Sequence, residues 1–161
     1  MLKEAILMTI DQIKTHLEAC GLHDRVKEFD QSSATVELAV QAVGCEPCRI
    51  AKTMSFLVDG GVALIVLAGD ARVDNQKFKA AFHQKAKMLT PDEVAGRTGF
   101  PVGGVCPFLA PEGTKVYLDV SLKRFDTVYP AAGTCNSAVR LTPQELERAA
   151  APTAWIDVSR G

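Results

Sequence analysis

The sequence contains little histidine. It has three histidines, His16, His23 and His83, and none of them belongs to a local Ser–His–Asp or Cys–His signature. The familiar nucleophilic triads are therefore not predicted. One Cys-x-x-Cys pair is present, at Cys45 and Cys48, but no second cysteine or histidine pair could complete a tetrahedral zinc site. A structural metal is not predicted either.

The chain also lacks an excess of charge and a long apolar run. Its formal net charge is −1, which argues against a broad basic surface for DNA but is compatible with contact to a few phosphates at one end of an RNA. No apolar run is long enough to cross a membrane. The N-terminal stretch combines acids with periodic apolar positions, as in a helix rather than a signal peptide. Five cysteines, an odd number, favour reduced thiols. We therefore expect a cytoplasmic protein.

The pattern of apolar residues predicts a mixed α+β domain formed by the whole chain, residues 1–161. An N-terminal helix is predicted over about residues 3–20, from the spacing of Ile6, Ile10, Ile13 and Leu17. The other predicted helices cover 34–43 (capped by Ser32 and Ser33), 75–86, 91 to about 96, and 143–149. The predicted strands cover 26–29, 49–58, 62–67, 115–120, 127–131, 138–141 and 155–158, with a hairpin turn at Asp59-Gly60-Gly61 between the second and the third.

Two consecutive glycines, Gly103 and Gly104, lie in an apolar segment that runs from Pro101 to Phe108. Glycine permits a positive φ and lets another molecule approach the main chain closely. Successive N–H groups in such a loop can form a concave site for negative charge. Considered alone, the segment is more simply a turn between two strands.

Lys52 is the second unusual residue. In an alternating strand it falls on the same face as Ile50, Met54 and Phe56. A lysine on an apolar face is costly unless its ammonium group reaches water, an acid or a ligand phosphate. A side chain that extends to solvent, or a charge that protects an edge strand, explains the position equally well.

The Cys45–Cys48 motif resembles a thioredoxin-type redox site only superficially. In such a site a strand comes before the motif and a helix follows it. Here the predicted order is reversed, with a helix before Cys45 and a strand after Cys48. Two small residues at a helix–strand corner are the favoured interpretation, and a thiol redox protein remains the weaker alternative.

Two further segments carry polar groups that could face a cavity. Asp119 follows an apolar strand, and a position on the surface at the strand end is equally plausible for it. The loop from Gly133 to Ser137 collects small hydrogen-bonding side chains, which could recognise a polar ligand or only turn the chain.

In combination these segments resemble one family, the YbaK/EbsC and prolyl-tRNA-synthetase-associated editing domains, which are free-standing aminoacyl-tRNA deacylases. The resemblance covers about residues 25–158, and it depends on the order and spacing of short motifs. These motifs lie at Ile50–Thr53, Gly103–Pro107, Tyr117–Asp119, Phe125–Tyr129, Ala132–Gly133 and Leu141–Pro143.

The resemblance implies hydrolysis of the ester that joins a wrong amino acid to the 3′-terminal adenosine of a tRNA. It also implies a strongly curved, barrel-like mixed sheet flanked by helices, and no metal or organic cofactor. The expected partners are the aminoacyl-tRNA acceptor end and an aminoacyl-tRNA synthetase. The predicted catalytic residues are Lys52, Gly103 and Gly104. The predicted substrate-binding residues are Phe29, Thr53, Val105, Cys106, Pro107, Asp119, Gly133, Thr134 and Asn136.

Elementary chemistry agrees with this assignment. Ester hydrolysis develops negative charge on the carbonyl oxygen, which backbone N–H groups of Gly103 and Gly104 could stabilise. Lys52 would hold the terminal phosphate or ribose and so position the ester. Because no histidine or pair of acids is available, substrate hydroxyls and the backbone are expected to orient the attacking water.

The sequence departs from deacylases of the cysteinyl-tRNA(Pro) type. Those proteins resemble one another in basic residues after the glycine equivalent to Gly133 and in an acid soon after, whereas Thr134, Cys135, Asn136 and Ala138 stand here. A small uncharged amino acid, with tRNA(Pro) as a candidate carrier, is therefore the expected substrate. Cys106 is expected to be a buried thiol beside the pocket, with a nucleophilic role as the weaker alternative. A non-catalytic module that binds an aminoacyl group or a nucleotide remains the alternative function.

Overall fold

The computed structural model describes residues 8–160, and its centre is a five-stranded mixed sheet. The strands within these residues are β1 (Val26–Glu28), β2 (Ile50–Val58), β3 (Gly61–Ala68), β4 (Arg72–Val73), β5 (Thr114–Asp119), β6 (Tyr129–Pro130), β7 (Ser137–Val139), β8 (Ala154–Ile156) and β9 (Ser159–Arg160). The central sheet has the order β6-β2-β3-β5-β8 and curls into a half-barrel. The predicted α+β fold with a curved sheet is confirmed.

Strand pairing explains why β3 is the most buried strand. It pairs antiparallel with β2 through the predicted hairpin turn and parallel with β5 on its other side. Val66 packs into one apolar cluster with Leu118, while Ile65 and Leu67 pack into a second cluster on the opposite face. A central strand that is covered on both faces has a continuous run of apolar residues in its sequence. The prediction of such a strand at residues 62–67 is confirmed.

Five helices surround the sheet in the described residues: α1 (Ile10–Ala19), α2 (Val36–Val43), α3 (Asn75–Phe82), α4 (Pro91–Thr98) and α5 (Pro143–Ala150). Thr9 caps α1 through a capping box with Gln12, and Ile13 and Leu17 are fully buried in the core. The N-terminal helix is thus confirmed over Ile10–Ala19, but its predicted start is wrong, because residues 8 and 9 are not helical and Thr9 is the extended N-cap. The predicted part before residue 8, with Ile6, lies outside the described residues. None of the helices in residues 8–160 has the length and apolar character needed to span a membrane.

Several predicted boundaries are wrong. Helix α2 begins after Thr35, whose side chain accepts the Leu38 amide, so Ser32 and Ser33 do not cap it. Helix α4 continues through Gly96 and ends at Gly99, which has φ = 81°. Helix α3 ends at Phe82, since His83 adopts a left-handed conformation. The strand predicted at 127–131 is reduced to the two residues of β6.

Two small antiparallel sheets flank the central one and attach distant parts of the chain to it. Strand β1 pairs with β7, and β4 pairs with β9. The β1–β7 pair places the loop after β1 against the loop before β7, where the Ser33 amide donates to the Cys135 carbonyl at 2.7 Å. The start of α2 therefore lies beside the segment 131–138.

Candidate active site

A cleft of about 320 Å³ opens where the start of α2, the start of β2 and the glycine loop meet. Strand β6 covers the outer edge of β2 at Ile50 and Ala51, and the segment around Met88 covers it at Phe56. Within residues 8–160, no strand pairs with this edge of β2 between those points. Four consecutive residues, 50–53, line the cleft, and because alternate residues of a strand point to opposite faces, the cleft lies along this uncovered edge.

Lys52 lines the cleft and is half-buried. Its position opposite Leu67 puts it on the strand face predicted from the sequence, with Met54 opposite Ile65. The ammonium group donates to the carbonyl oxygens of Gly69 and Ala71 in the turn after β3. Burial lowers the pKa of Lys52; the nearby Asp70 carboxylate partly offsets this effect, and the Arg72 charge adds to it. The side chain therefore delivers positive charge to a partly desolvated site.

Thr53, the next residue, carries an unsatisfied hydroxyl group. Its Oγ1 atom is buried and has no hydrogen-bond partner among residues 8–160. A buried polar group without a partner costs roughly 1–3 kcal/mol. Because Thr53 also lines the cleft, a bound ligand that hydrogen-bonds to this hydroxyl would recover that cost.

The glycine loop packs tightly against the opposite wall of the cleft. Gly103 has φ = 83°, and a Cβ atom added to it would lie 2.6 Å from the Cβ of Ala34. A Cβ on Gly104 would lie 2.9 Å from the backbone of Thr134. Both glycines are therefore required by close packing within the protein, in addition to any role toward a ligand.

The amide groups of the loop are not equivalent. The Gly104 amide donates to the Pro101 carbonyl at 2.9 Å, and Gly104 is not among the residues that line the cleft. By contrast, Gly103 and Val105 line it, and neither of their amides donates to any group in the described part of the chain. The Gly104 amide is thus engaged within the turn itself, whereas the Gly103 and Val105 amides have no acceptor among residues 8–160.

Three predicted binding residues lie away from the cleft. The Cys106 side chain is fully buried among apolar residues, and burial raises the pKa of its thiol to about 12. Pro107, which follows it, is buried as well. Asp119 is fully buried and accepts hydrogen bonds from the Val158 amide, the Ser121 amide and the Ser159 hydroxyl. Asp119 was predicted to face a cavity or to lie on the surface, and both predictions are wrong. Its carboxylate instead links the end of β5 to the C-terminal segment through hydrogen bonds.

Four further predicted binding residues, Phe29, Gly133, Thr134 and Asn136, make contacts within the protein. Phe29 and Asn136 bind each other through backbone and amide hydrogen bonds of 2.8 and 3.0 Å. Thr134 donates to the Ser137 hydroxyl at 2.7 Å. Gly133 has φ = 89°, and a Cβ atom added to it would lie 3.2 Å from the Phe100 ring and 3.3 Å from the Ile13 side chain. None of these four residues lines the cleft.

Sequence reasoning missed most of the wall that comes from residues 33–36, from β6 and the residue after it, and from β7; Ser137 is the exception, since it belongs to the loop predicted as a possible site for a polar ligand. This wall includes Ser33, Ala34, Thr35, Val36, Tyr129, Ala131, Ser137 and Ala138. Ser33, which lies in a loop, and Ser137, the first residue of β7, carry the nearest signal, since binding residues are often found in loops and at the ends of regular elements. Their proximity depends on the pairing of β1 with β7, which local patterns do not reveal.

The Cys45–Cys48 segment forms the predicted corner between α2 and β2. A short 3₁₀ helix spans Pro47–Arg49, and both thiols have pKa values raised by burial. A Cβ on Gly69 would lie 2.1 Å from the Pro47 carbonyl oxygen, so this corner packs directly on the turn that binds Lys52. Raised thiol pKa values and the helix-before-strand order disfavour redox catalysis. No cluster of three or more His, Cys, Asp or Glu side chains suited to a metal ion occurs in residues 8–160.

Comparison with known proteins gives consistent matches over nearly the whole chain. A profile of the aminoacyl-tRNA editing domain matches residues 30–149. The uncharacterized protein YwhH of Bacillus subtilis is 49% identical over 154 residues, which are 95% of this chain and 98% of YwhH. The proline–tRNA ligase of Desulfovibrio desulfuricans is 31% identical over 125 residues, which are 77% of this chain but 21% of the ligase.

Solved structures give the same result. The crystal structure of a candidate trans-editing enzyme for prolyl-tRNA synthetase matches with a TM-score of 0.82 and 30% sequence identity, over the full length of both chains. The resemblance drawn from the sequence motifs is therefore confirmed. With a profile that spans well over half of its residues and a relative that matches it almost end to end, the chain belongs to the aminoacyl-tRNA editing domain family.

Proposed function

We propose that this protein is a trans-acting deacylase that hydrolyses the ester between a small uncharged amino acid and the 3′-terminal adenosine of a tRNA, with tRNA(Pro) as its expected carrier. The observation that carries the proposal is that residues bearing three kinds of polar group line one cleft. These groups are the Lys52 ammonium, the unpartnered Thr53 hydroxyl and the amides of Gly103 and Val105.

Each group has a role suited to ester hydrolysis. Lys52 binds the phosphate or ribose of the terminal adenosine and fixes the ester beside the glycine loop. The amides of Gly103 and Val105 stabilise the carbonyl oxygen as it becomes negative, and loss of one such donor costs about a hundred- to a thousandfold in rate. Thr53 donates to or accepts from a polar group of the substrate.

Water is the nucleophile in this mechanism. Its oxygen attacks the carbonyl carbon, the bond from that carbon to the ribose oxygen breaks, and the proton lost by water finally resides on the ribose hydroxyl. Among residues 8–160, the side chains lining the cleft include no histidine, aspartate or glutamate. A hydroxyl or amino group of the substrate is therefore proposed to orient the water and relay the proton.

The walls of the cleft favour a small uncharged amino acid. Alanine contributes at five positions, Ala34, Ala39, Ala51, Ala131 and Ala138, and within the described part of the chain Lys52 is the one charged residue in the lining. A volume of about 320 Å³ must hold both the aminoacyl group and part of the ribose. A cationic substrate side chain would also be repelled by Lys52.

The direct test is a deacylation panel. We expect hydrolysis of tRNA(Pro) charged with alanine, serine or threonine, and no hydrolysis of correctly charged prolyl-tRNA(Pro). Lys52→Ala should lower kcat/KM by about a hundredfold or more, while Lys85→Ala, an exposed lysine on the segment after α3, should not change it. Full activity of Lys52→Ala on every mischarged tRNA would refute the mechanism. Binding of all substrates without turnover would instead identify a non-catalytic module.

A further inference from the structure

Two arginines lie directly opposite each other beside the cleft. Strands β4 and β9 are antiparallel, and their register pairs Arg72 with Arg160. Both residues are exposed. Like charges directly opposite in an antiparallel pair destabilise the sheet, so repulsion between Arg72 and Arg160 destabilises the pairing of β4 with β9.

No carboxylate within the described part of the chain forms an ion pair with either arginine. Neither guanidinium group forms an ion pair or a side-chain hydrogen bond with residues 8–160. The nearest acids are engaged elsewhere, since Asp70 binds Arg124 and Asp74 accepts the Lys77 amide as the cap of α3. The Lys77 amide holds the pKa of Asp74 below its ordinary value, and the nearby Arg160 charge makes a smaller contribution in the same direction.

The arginine pair continues the positive charge of the cleft. Lys52 donates to the carbonyl of Ala71, the residue immediately before Arg72. Arg72 is close enough to contribute to the lowered pKa of Lys52, after burial. Lys52, Arg72 and Arg160 thus form a row that leads from the cleft onto the surface, in a chain whose formal net charge is −1.

We propose that Arg72 and Arg160 bind the phosphates of the unpaired 3′ end of tRNA that immediately precede the terminal adenosine. The proposal rests on the function proposed above, which seats that adenosine in the cleft. A guanidinium group binds a phosphate through two parallel hydrogen bonds and keeps its charge at all working pH values. A single strand entering the cleft from this side would place successive phosphates along the row and remove the repulsion between the two arginines.

The test compares two substrates that share the same ester. One is mischarged tRNA, and the other is the 3′-aminoacyl ester of adenosine 5′-monophosphate, which keeps the terminal phosphate but lacks those before it. For Arg72→Gln and Arg160→Gln, the ratio of kcat/KM on tRNA to kcat/KM on the short ester should fall about tenfold each, as expected for a lost charge-assisted bond. The slope of log(kcat/KM) against log[KCl] on tRNA should become shallower by about 0.7 for each arginine, as for single-stranded nucleic acid.

Arg97→Gln is the matched control. Arg97 lies on α4 and donates to the Gly60 carbonyl at the far end of the β2–β3 hairpin from Lys52, so its removal changes the net charge equally without affecting the row. An unchanged substrate ratio in both arginine variants, or an equal change in Arg97→Gln, would overturn the proposal.

Failure of the proposed function gives a different result. If the wild-type protein hydrolyses neither substrate, fluorescence titration with uncharged tRNA still tests the arginines. The double variant Arg72→Gln/Arg160→Gln should then bind about a hundredfold more weakly than the wild type, compared with Arg97→Gln and with circular dichroism as the check on folding. Equal affinity of the double variant and the control would refute the site.

Discussion

Replacing Gly103 with alanine would separate two energetic demands that the structure places on the glycine loop. The first is conformational, because φ = 83° costs a residue with a Cβ about 1–2 kcal/mol. The second is steric, because the new Cβ would lie 2.6 Å from the Ala34 Cβ and 3.2 Å from its Cα. Forced overpacking of this kind costs about 1–3 kcal/mol. We therefore expect Gly103→Ala to lose about 2–5 kcal/mol of unfolding free energy.

Gly113 provides the matched control. It has φ = 86°, but no atom lies within 4 Å of the position that its Cβ would occupy. Gly113→Ala should therefore lose about 1–2 kcal/mol, the conformational cost alone. Urea denaturation of both variants, analysed with a common m-value, gives the steric cost as the difference between them.

A second substitution tests the assignment of that difference to Ala34. The double variant Gly103→Ala/Ala34→Gly removes the methyl group in the 2.6 Å contact, so it should recover part of the steric cost as a coupling energy of about 1 kcal/mol or more. Deacylation should fall in Gly103→Ala, where the cleft wall must move, and persist in Gly113→Ala. Equal destabilisation of the two single variants, or the absence of coupling with Ala34, would refute the argument.

Three further predictions follow from individual side chains. Thr53→Val should lower kcat/KM in deacylation without lowering stability in urea, since the lost hydroxyl has no partner in the free protein; a large loss of stability would contradict this. Burial lowers the pKa of Lys52, so its charge, and with it kcat/KM, should be lost on the alkaline side at a pH below that of an ordinary lysine. The arginine in Lys52→Arg keeps its charge at all working pH values, so this variant should show no alkaline fall in kcat/KM once uncatalysed ester hydrolysis has been subtracted. An identical alkaline fall in the variant would exclude Lys52 as its cause. Asp119→Ala should cost about 2–4 kcal/mol in urea because three donors lose a charged acceptor, whereas Asp157→Ala should cost less than about 1 kcal/mol, since it removes one exposed ion pair with Lys77.

Local sequence signals predicted those elements whose stabilising contacts are local or whose burial is complete. The Asp59–Gly60 turn, the continuous apolar strand β3 and the proline-led start of α5 all follow from residues a few positions apart. The start of α2 was misjudged because Ser33 binds the carbonyl of Cys135, more than a hundred residues away. A serine engaged in a distant backbone bond cannot be distinguished in sequence from a serine that caps the next helix.

The same reasoning explains which site residues could be predicted. Lys52 and Gly103 were identifiable because a charge on an apolar face and paired glycines are locally unusual. Asp119, at the end of an apolar strand, and Cys106, in the glycine segment, also drew attention in the sequence. In the structure both side chains are completely buried, by β8, β9 and the core, and they do not line the cleft. Ala34 and Ala138 carry no chemical signal, and only the three-dimensional fold shows that they form walls of the cleft.

The shortness of β6 determines whether this protein has a cleft at all. Its second residue is Pro130, paired with Ala51, and proline has no N–H group to extend a ladder of hydrogen bonds. A longer β6 would cover β2 beside Lys52 and fill the space that the substrate is proposed to occupy. An uncovered strand edge ordinarily invites pairing with another chain and aggregation. Here Ala34 and Gly103 line the cleft together with this edge, so the start of α2 and the glycine loop occupy space that a further strand would need.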